Sequence, residues 1–513
     1  MNGADALIET LVLNGVTACF ANPGTSEMQF VSALDRQPGM RPVLCLFEGV
    51  ATGAADGFGR MADVPACTLL HLGPGYGNGL ANLHNARRAY TPIVNVVGDH
   101  ATYHRQYDAP LNSDIPTLVK PTSIWVGSAD TADSVAAMTA EAISASYGPP
   151  GGPVSLILPA DSAWTETSQG AVRAHRHEAS TVAAGTVDEV ARALRAAKKP
   201  VVLLGGRACL GPALVQAARL QAAGIRVMVD TFVARQPRGA GVFGPDRMAY
   251  FGEAALADLE GTDLMVYVGT TLPVAFFAYP DRPSVLVPEG CQTLTLADRS
   301  QDPVSALQAL AEGLGAPSTG PVQPLKRPDA MPTGALTPQA CGQSIARHLP
   351  DGAILCDDAV TSGGAIAVPC MTAAPHEVLA LTGGAIGIGA PLSIGAAVAR
   401  PEAKVVSLNG DGAAMYTVQS LWTLARENLD VTVVVFANHS YRILNIEMGR
   451  TGAGNPGPSA SKLLDLGNPR IDWVSLAKGL GLNAVRCETA EAFDAAFARA
   501  MREPGPKFIE AAI

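Results

Sequence analysis

Charged residues are scarce in this chain: Asp, Glu, Lys and Arg make up only 16% of its 513 residues, and the acids prevail to leave a formal net charge of −10. No run of Lys or Arg interrupts that average, so the sequence offers no electrostatic footing for nucleic acid or an anionic membrane surface. Paired cysteines are missing too. The nine cysteines, scattered from Cys19 to Cys487, are odd in number and never form a CxxC. A disulfide framework and a zinc site are therefore not indicated, and the thiols read as small apolar residues of a reducing compartment. No apolar run approaches the ~20 residues of a membrane span. The opening MNGADALIETLVLNG carries Asp5 and Glu9 inside an amphipathic helical pattern, unlike the basic start and unbroken apolar stretch of a signal peptide. These absences point to a cytoplasmic protein that handles small molecules.

What is present is apolar bulk and turns: 48% hydrophobic residues, 53 glycines and 38 prolines, a composition that suits a packed α/β protein and argues against disorder. At roughly 100 to 200 residues per domain, the length predicts about three domains. Short apolar runs such as VTACFANPG, ACTLLHLGPG and TPIVNVVGD alternate with longer helical patterns, the mark of parallel sheets covered by helices. A first unit spans 1–165. The polar stretch that follows reads as a linker, and a second unit, 186–315, contains KKPVVLLGG, IRVMVDTF and DLMVYVGTT as buried strands. A segment with six prolines then separates it from a third unit, 337–513.

The third unit holds the most informative spacing. Gly410-Asp411-Gly412 ends an apolar strand, and Asn438 ends the next strand, 27 positions after Asp411. Both fall at carboxyl ends of parallel strands, where open α/β sheets bind ligands. Asp411, Asn438 and the backbone carbonyl of Ser440 supply the hard oxygens that Mg²⁺ shares with phosphates. Gly410 and Gly412 allow close approach to a diphosphate, and a helix is expected to begin near Ala414 and point its N-terminus at the anion. Taken alone, the triplet is equally an ordinary strand-to-helix turn; the paired spacing outweighs that reading.

With that spacing, the chain resembles the thiamine-diphosphate-dependent enzymes that include acetolactate synthase, benzoylformate decarboxylase and pyruvate oxidase. The resemblance covers essentially the whole chain. It runs through Asn22-Pro23-Gly24-Thr25-Ser26-Glu27, Glu48, AADGFGR, His71 and Gly75-Tyr76-Gly77-Asn78-Gly79 in the first unit, and through TGGAIGIGAP and GDG in the third. It implies three parallel-sheet α/β domains, the first and third of the thiamine-diphosphate-binding fold and the middle one Rossmann-like. It also implies a cofactor pair of thiamine diphosphate and Mg²⁺, the metal held by Asp411, Asn438 and Ser440, and a cofactor site of Pro23, Gly24, Glu48, Gly384, Ile386, Gly410, Asp411, Gly412, Asn438, Ser440 and Tyr441. Ala413 departs from the hydroxyl residue of several relatives.

Thiamine chemistry needs a carboxylate on the pyrimidine nitrogen, in an apolar pocket that strengthens the bond. Glu48, between VLCLF and a helix start rich in small residues, fits; a helix-capping acid would look the same locally. The Gly384 carbonyl is the expected acceptor for the cofactor's amino group, and Ile386 the bulk that bends the cofactor. His71 aligns with a substrate-side histidine of benzoylformate decarboxylase, although a structural histidine is an equal alternative. Thr25 and Ser26 approach substrate in relatives, and turn formation explains them as well. Phe276, Phe277 and Tyr279 line a substrate pocket or belong to the core. The second histidine of benzoylformate decarboxylase has no counterpart, and the RFDDR-like segment of FAD-binding relatives is missing, so FAD is not expected.

The resulting expectation is a lyase and carboligase that decarboxylates a 2-oxo acid. An acetolactate synthase-like transferase is the alternative, ahead of a flavin-dependent oxidase or a non-catalytic homologue. In the family the site lies between subunits, which implies at least a homodimer and favours a homotetramer.

Overall fold

The computed structural model describes residues 1–513 as three mainly parallel sheets, each covered by helices. In the first sheet the strands, in chain order, are Ala18–Ala21, Arg41–Leu44, Ala66–Leu70, Ile93–Asp99, Trp125–Ser128 and Pro153–Pro159, and they lie side by side in the order 2-1-3-4-6-5. Its central strands are buried at every position, as continuous apolar runs covered on both faces should be.

The third sheet repeats that plan. Its strands are Ala353–Asp358, His376–Ala380, Val405–Gly410, Val431–Ala437, Asn483–Cys487 and Lys507–Ala512, again in the order 2-1-3-4-6-5. The middle sheet, Pro200–Leu204, Arg226–Val229, Asp246–Arg247, Leu264–Val268 and Gln292–Ala297, has the order 3-2-1-4-5, the Rossmann order without its sixth strand. The fold is therefore α/β with duplicated outer domains. One strand escapes the sequence pattern: Arg235–Arg238 leaves the middle unit and pairs antiparallel with His376–Ala380, adding a seventh strand to the third sheet. The stretches 165–183 and 314–337 contain no helix or strand longer than an isolated bridge.

The outer domains are fused by two helices, Glu48–Ala62 and Gly389–Ala399. A side chain on Gly57 would meet the Leu392 carbonyl at 2.0 Å, and one on Gly395 would meet the Ala54 carbonyl at 1.8 Å. The small residues after Glu48 thus let two backbones touch. At the far end of the first helix, Arg60 and Asp56 form a buried ion pair at 2.6 Å. Nη1 of Arg60 continues to the carbonyls of Ala234 at 3.0 Å and Ala380 at 2.7 Å, so one side chain ties all three domains. Eight cysteines are buried, Cys291 is half-buried, and all are free thiols. No helix is long and apolar enough to cross a membrane.

Candidate active site

The first half of the site forms at the carboxyl end of the first sheet. Strand Ala18–Ala21 runs into Asn22-Pro23-Gly24 and the short 3-10 turn Thr25–Glu27. Glu27 is buried. It accepts hydrogen bonds from the Gly24 N–H and from Ser26 Oγ, each at 2.8 Å, and lies 2.9 Å from Nδ1 of His71. Ser26 Oγ is 3.2 Å from the same nitrogen. A carboxylate can only accept, so it fixes the ring proton on Nδ1 and leaves Nε2 free to act on another group. Gly24 is required here, because a Cβ would fall 2.1 Å from His71 Nδ1. Thr25 is exposed and makes no side-chain hydrogen bond with this group.

His71 caps helix Leu72–Ala89, and the same helix serves Glu48. Glu48 is the first residue of helix Glu48–Ala62 and is only 6% exposed. Its Oε2 accepts from Nδ2 of Asn78 at 2.9 Å. That carboxylate stands in the helix's first turn without bonding any helix N–H, and Oε1 has no partner within the chain. Asn78 comes from the GYGNG segment, and Gly75 lies so close that a Cβ would stand 3.4 Å from Oε1.

The second half forms on the third sheet. Strand Val405–Gly410 ends at Asp411, where a helix starts at once, over Asp411–Tyr416, rather than near Ala414. The reason is local: Gly410 is extended and caps the helix, and Asp411 Oδ1 accepts the Gly412 N–H at 2.9 Å within the first turn. Oδ2 accepts the His439 N–H at 2.6 Å. Burial pushes the Asp411 carboxyl above the usual range, so the buried anion would be relieved by a cation. Asn438 Oδ1 accepts the Ser440 N–H at 2.9 Å, and the Ser440 carbonyl accepts no hydrogen bond. Tyr441 lies under Gly412, where a Cβ would meet its ring at 2.3 Å. A carboxylate, an amide oxygen and an unused carbonyl suit Mg²⁺, and glycines beside them leave room for phosphate oxygens.

The segment Gly383–Ile388 flanks this turn, with Gly384 in left-handed backbone at φ +80° and Ile386 half-buried. A side chain on Gly384 would strike Phe276 at 2.6 Å. Phe276 and Phe277 are 37% and 52% exposed, so they are not core. Phe276 stacks obliquely on Phe232 and Tyr250 with centroids 5.4 Å apart in each case. Tyr279 donates to Glu447 at 2.7 Å and so pins this aromatic segment to the helix that follows Tyr441.

No hydrogen bond or ion pair joins Glu48 or His71 to Asp411, Asn438 or Ser440 within the chain. Each half is complete in itself. The structure also adds residues the sequence pattern did not single out: Glu27 and Asn78 sat inside quoted motifs but had no assigned task, and Asn85 and Asp358 gave no local signal. A separate cavity of about 480 Å³ opens between the middle sheet and the first domain, lined by Arg60, Arg176, Arg207, Arg235 and Arg299 among others. None of the sequence-predicted site residues borders it.

Duplicated α/β domains, one offering a buried carboxylate and the other an oxygen-lined, glycine-flanked turn, are suited to an enzyme that binds a diphosphate cofactor. The thiamine pyrophosphate enzyme N-terminal TPP binding domain matches residues 1–117, and the corresponding C-terminal TPP binding domain matches residues 364–511. The chain belongs to the thiamine pyrophosphate enzyme family. It is 49% identical over 516 residues to the Mycobacterium tuberculosis protein named "Putative acetolactate synthase large subunit IlvX", covering 100% of this chain and 99% of that one. It is 28% identical to benzoylformate decarboxylase of Pseudomonas aeruginosa, covering 98% and 97%. The solved 4-hydroxybenzoylformate decarboxylase of Rhodococcus jostii superposes with a TM-score of 0.87 at 25% identity, covering 100% and 99%.

Proposed function

We propose that this chain is a thiamine-diphosphate- and Mg²⁺-dependent lyase and carboligase that decarboxylates a 2-oxo acid and can join the remaining fragment to a second carbonyl compound. The observation that carries this reading is the division of labour between two buried carboxylates of the first half-site. Glu48 keeps one oxygen free, while Glu27 is spent on orienting His71.

When bound, the cofactor would supply a nucleophilic carbon and an electron sink for decarboxylation of a 2-oxo acid. Glu48 would hold or release a proton at Oε1 toward the pyrimidine ring, with Asn78 fixing its rotamer. His71, its Nδ1 secured by Glu27, gives or takes a proton at Nε2 on the substrate side, and Ser26 offers a hydroxyl beside it. Asp411, Asn438 and the Ser440 carbonyl would hold the metal, with Gly410, Gly412 and Tyr441 around the diphosphate. Pro23 and Gly24 would border the pyrimidine end, the Gly384 carbonyl would accept the amino group, and Ile386 would supply the apolar bulk behind the bend. Phe276 and Phe277 restrict water from that end of the site.

In this reading the complete site joins Glu48 of one chain to Asp411 of a second, as the family resemblance implies, so that the smallest active unit is a homodimer, with dimers pairing into a tetramer. An acetolactate synthase-like transferase is the second reading, favoured by the 49% identity to a protein of that name and by an aromatic ring, not a second histidine, beside Gly384. The test is to incubate the protein, with thiamine diphosphate and Mg²⁺, with aliphatic and aromatic 2-oxo acids while following CO₂ and condensation products. Aldehyde with CO₂ supports the lyase, a 2-hydroxy-3-oxo acid supports the transferase, and no CO₂ from any of them contradicts both.

A further inference from the structure

The segment Gly383–Ile388 has no helix or strand of its own, yet it passes twice through left-handed backbone, at Gly384 (φ +80°) and Gly387 (φ +95°). A glycine-rich stretch of this kind is mobile unless something holds it. Two buried side chains from other parts of the chain do so. Asn85, on helix Leu72–Ala89 of the first domain, donates from Nδ2 to the Ala385 carbonyl at 2.7 Å. Its Oδ1 accepts the N–H groups of Gly383 at 3.1 Å and Ala385 at 3.3 Å. Asp358, at the end of strand Ala353–Asp358, accepts at Oδ2 the N–H groups of Gly387, Ile388 and Gly389 at 2.8, 3.0 and 3.2 Å.

Asn85 is fully buried and Asp358 is 2% exposed. The second carboxylate oxygen of Asp358 is buried without any partner. Leaving a carboxylate oxygen unpaired in the interior is costly, and the only bonds this side chain makes are two to the segment and one to Gly389 at the start of the next helix. Between the two anchored stretches lies Ile386, and within the first lies Gly384.

We propose that Asn85 and Asp358 are positioning residues that fix Gly384 and Ile386 in their cofactor-bending arrangement before the cofactor arrives, an inference that rests on the thiamine-diphosphate reading above. Asn85 does this across a domain boundary. The geometry of the bend is thereby set by the docking of the first domain on the third, through a side chain that touches neither cofactor nor substrate.

The experiment uses the full-length protein as wild type, Asn85→Ala, Asp358→Ala and Asp358→Asn. Backbone hydrogen exchange, measured first without cofactor, should show lost protection at Gly383 and Ala385 in N85A and at residues 387–389 in D358A. D358N keeps an oxygen acceptor and should retain protection. Calorimetric titration with thiamine diphosphate and Mg²⁺ should then show roughly tenfold or greater weakening in N85A, the equivalent of one or two lost hydrogen bonds. The near-ultraviolet circular dichroism of the bound cofactor should change shape at saturation, which a loss of global stability alone would not produce. If D358A fails to fold, N85A and D358N still decide the matter. Wild-type exchange, affinity and dichroism in N85A overturn the inference, as does loss of protection at residues 387–389 in D358N. If wild type itself takes up no thiamine diphosphate, the cofactor reading fails, and the exchange data still report whether the clamp exists.

Discussion

Asn78 donates a 2.9 Å hydrogen bond to Oε2 of Glu48 and leaves Oε1 without a partner. The two residues come from different helices, Leu72–Ala89 and Glu48–Ala62, and their contact converts a carboxylate at a helix start into an oriented group with one working oxygen. That arrangement determines what a substitution at Glu48 does.

Glu48→Gln retains an oxygen for the Asn78 bond but cannot carry the charge shift onto the pyrimidine. We expect unchanged thermal stability and cofactor retention, with kcat lower by on the order of a hundredfold or more. Steady-state kinetics at saturating cofactor measures this. Activity within about twofold of wild type, a factor well below general acid–base effects, removes Glu48 from the mechanism.

Arg60→Met leaves Asp56 buried with only Thr91 as a side-chain donor, at 2.6 Å, and severs the bonds to Ala234 and Ala380. Breaking a buried pair from one side costs about 3–5 kcal/mol. Urea denaturation should show a loss of that size, and replacing Asp56 with Asn in the same chain should recover part of it. A loss under ~1 kcal/mol, typical of an exposed pair, contradicts a structural role at the three-domain junction.

The pH dependence of stability has two opposing contributions. Burial, with Asp357 nearby, pushes the Asp358 carboxyl up to about 7, so its contribution is full below the ordinary carboxylate range near 3.8 and is lost as pH rises through about 7. Burial pushes His376 down to about 4, so its contribution is present above the ordinary imidazole range and is lost as pH falls toward about 4. The Tm difference between Asp358→Asn and wild type should shift in the variant's favour from pH 4 to 7, and that for His376→Gln should shift in its favour from pH 6.5 down to 4. Calorimetry across that range checks both signs, and a flat difference for either variant contradicts the corresponding shift.

Sequence and structure agree where the chemistry is local. The apolar runs gave the central strands because parallel strands covered on both faces need them, and Asp411 and Asn438 could be paired because each ends one of two neighbouring strands. The contacts that shape the site are less legible. Asn85 meets Ala385 across 300 positions and Asp358 meets Gly387 across 29, and neither leaves a periodicity. Strand Arg235–Arg238 has three polar residues in four, so no alternating pattern announces that it crosses into the third sheet. The helix at Asp411 begins three residues early because the aspartate bonds the N–H of its own first turn.

The shared site predicts complementation. Glu48→Gln and Asp411→Ala homodimers should both be inactive, while a heterodimer of the two places both defects in one site and leaves the other intact. About half the wild-type activity per dimer is expected if the sites act independently. Differentially tagged heterodimers that remain inactive, under exchange conditions that preserve wild-type activity, contradict a site built from two chains.

The central claim, that this chain holds thiamine diphosphate through a metal on the third sheet, is tested most directly by calorimetric titration of metal-stripped protein with thiamine diphosphate. The account predicts one cofactor per chain when Mg²⁺ is present, little or no binding in chelator, and loss of the Mg²⁺-dependent binding in Asp411→Ala. Failure of the wild-type protein to bind with Mg²⁺ present, or equally tight binding by Asp411→Ala, contradicts it.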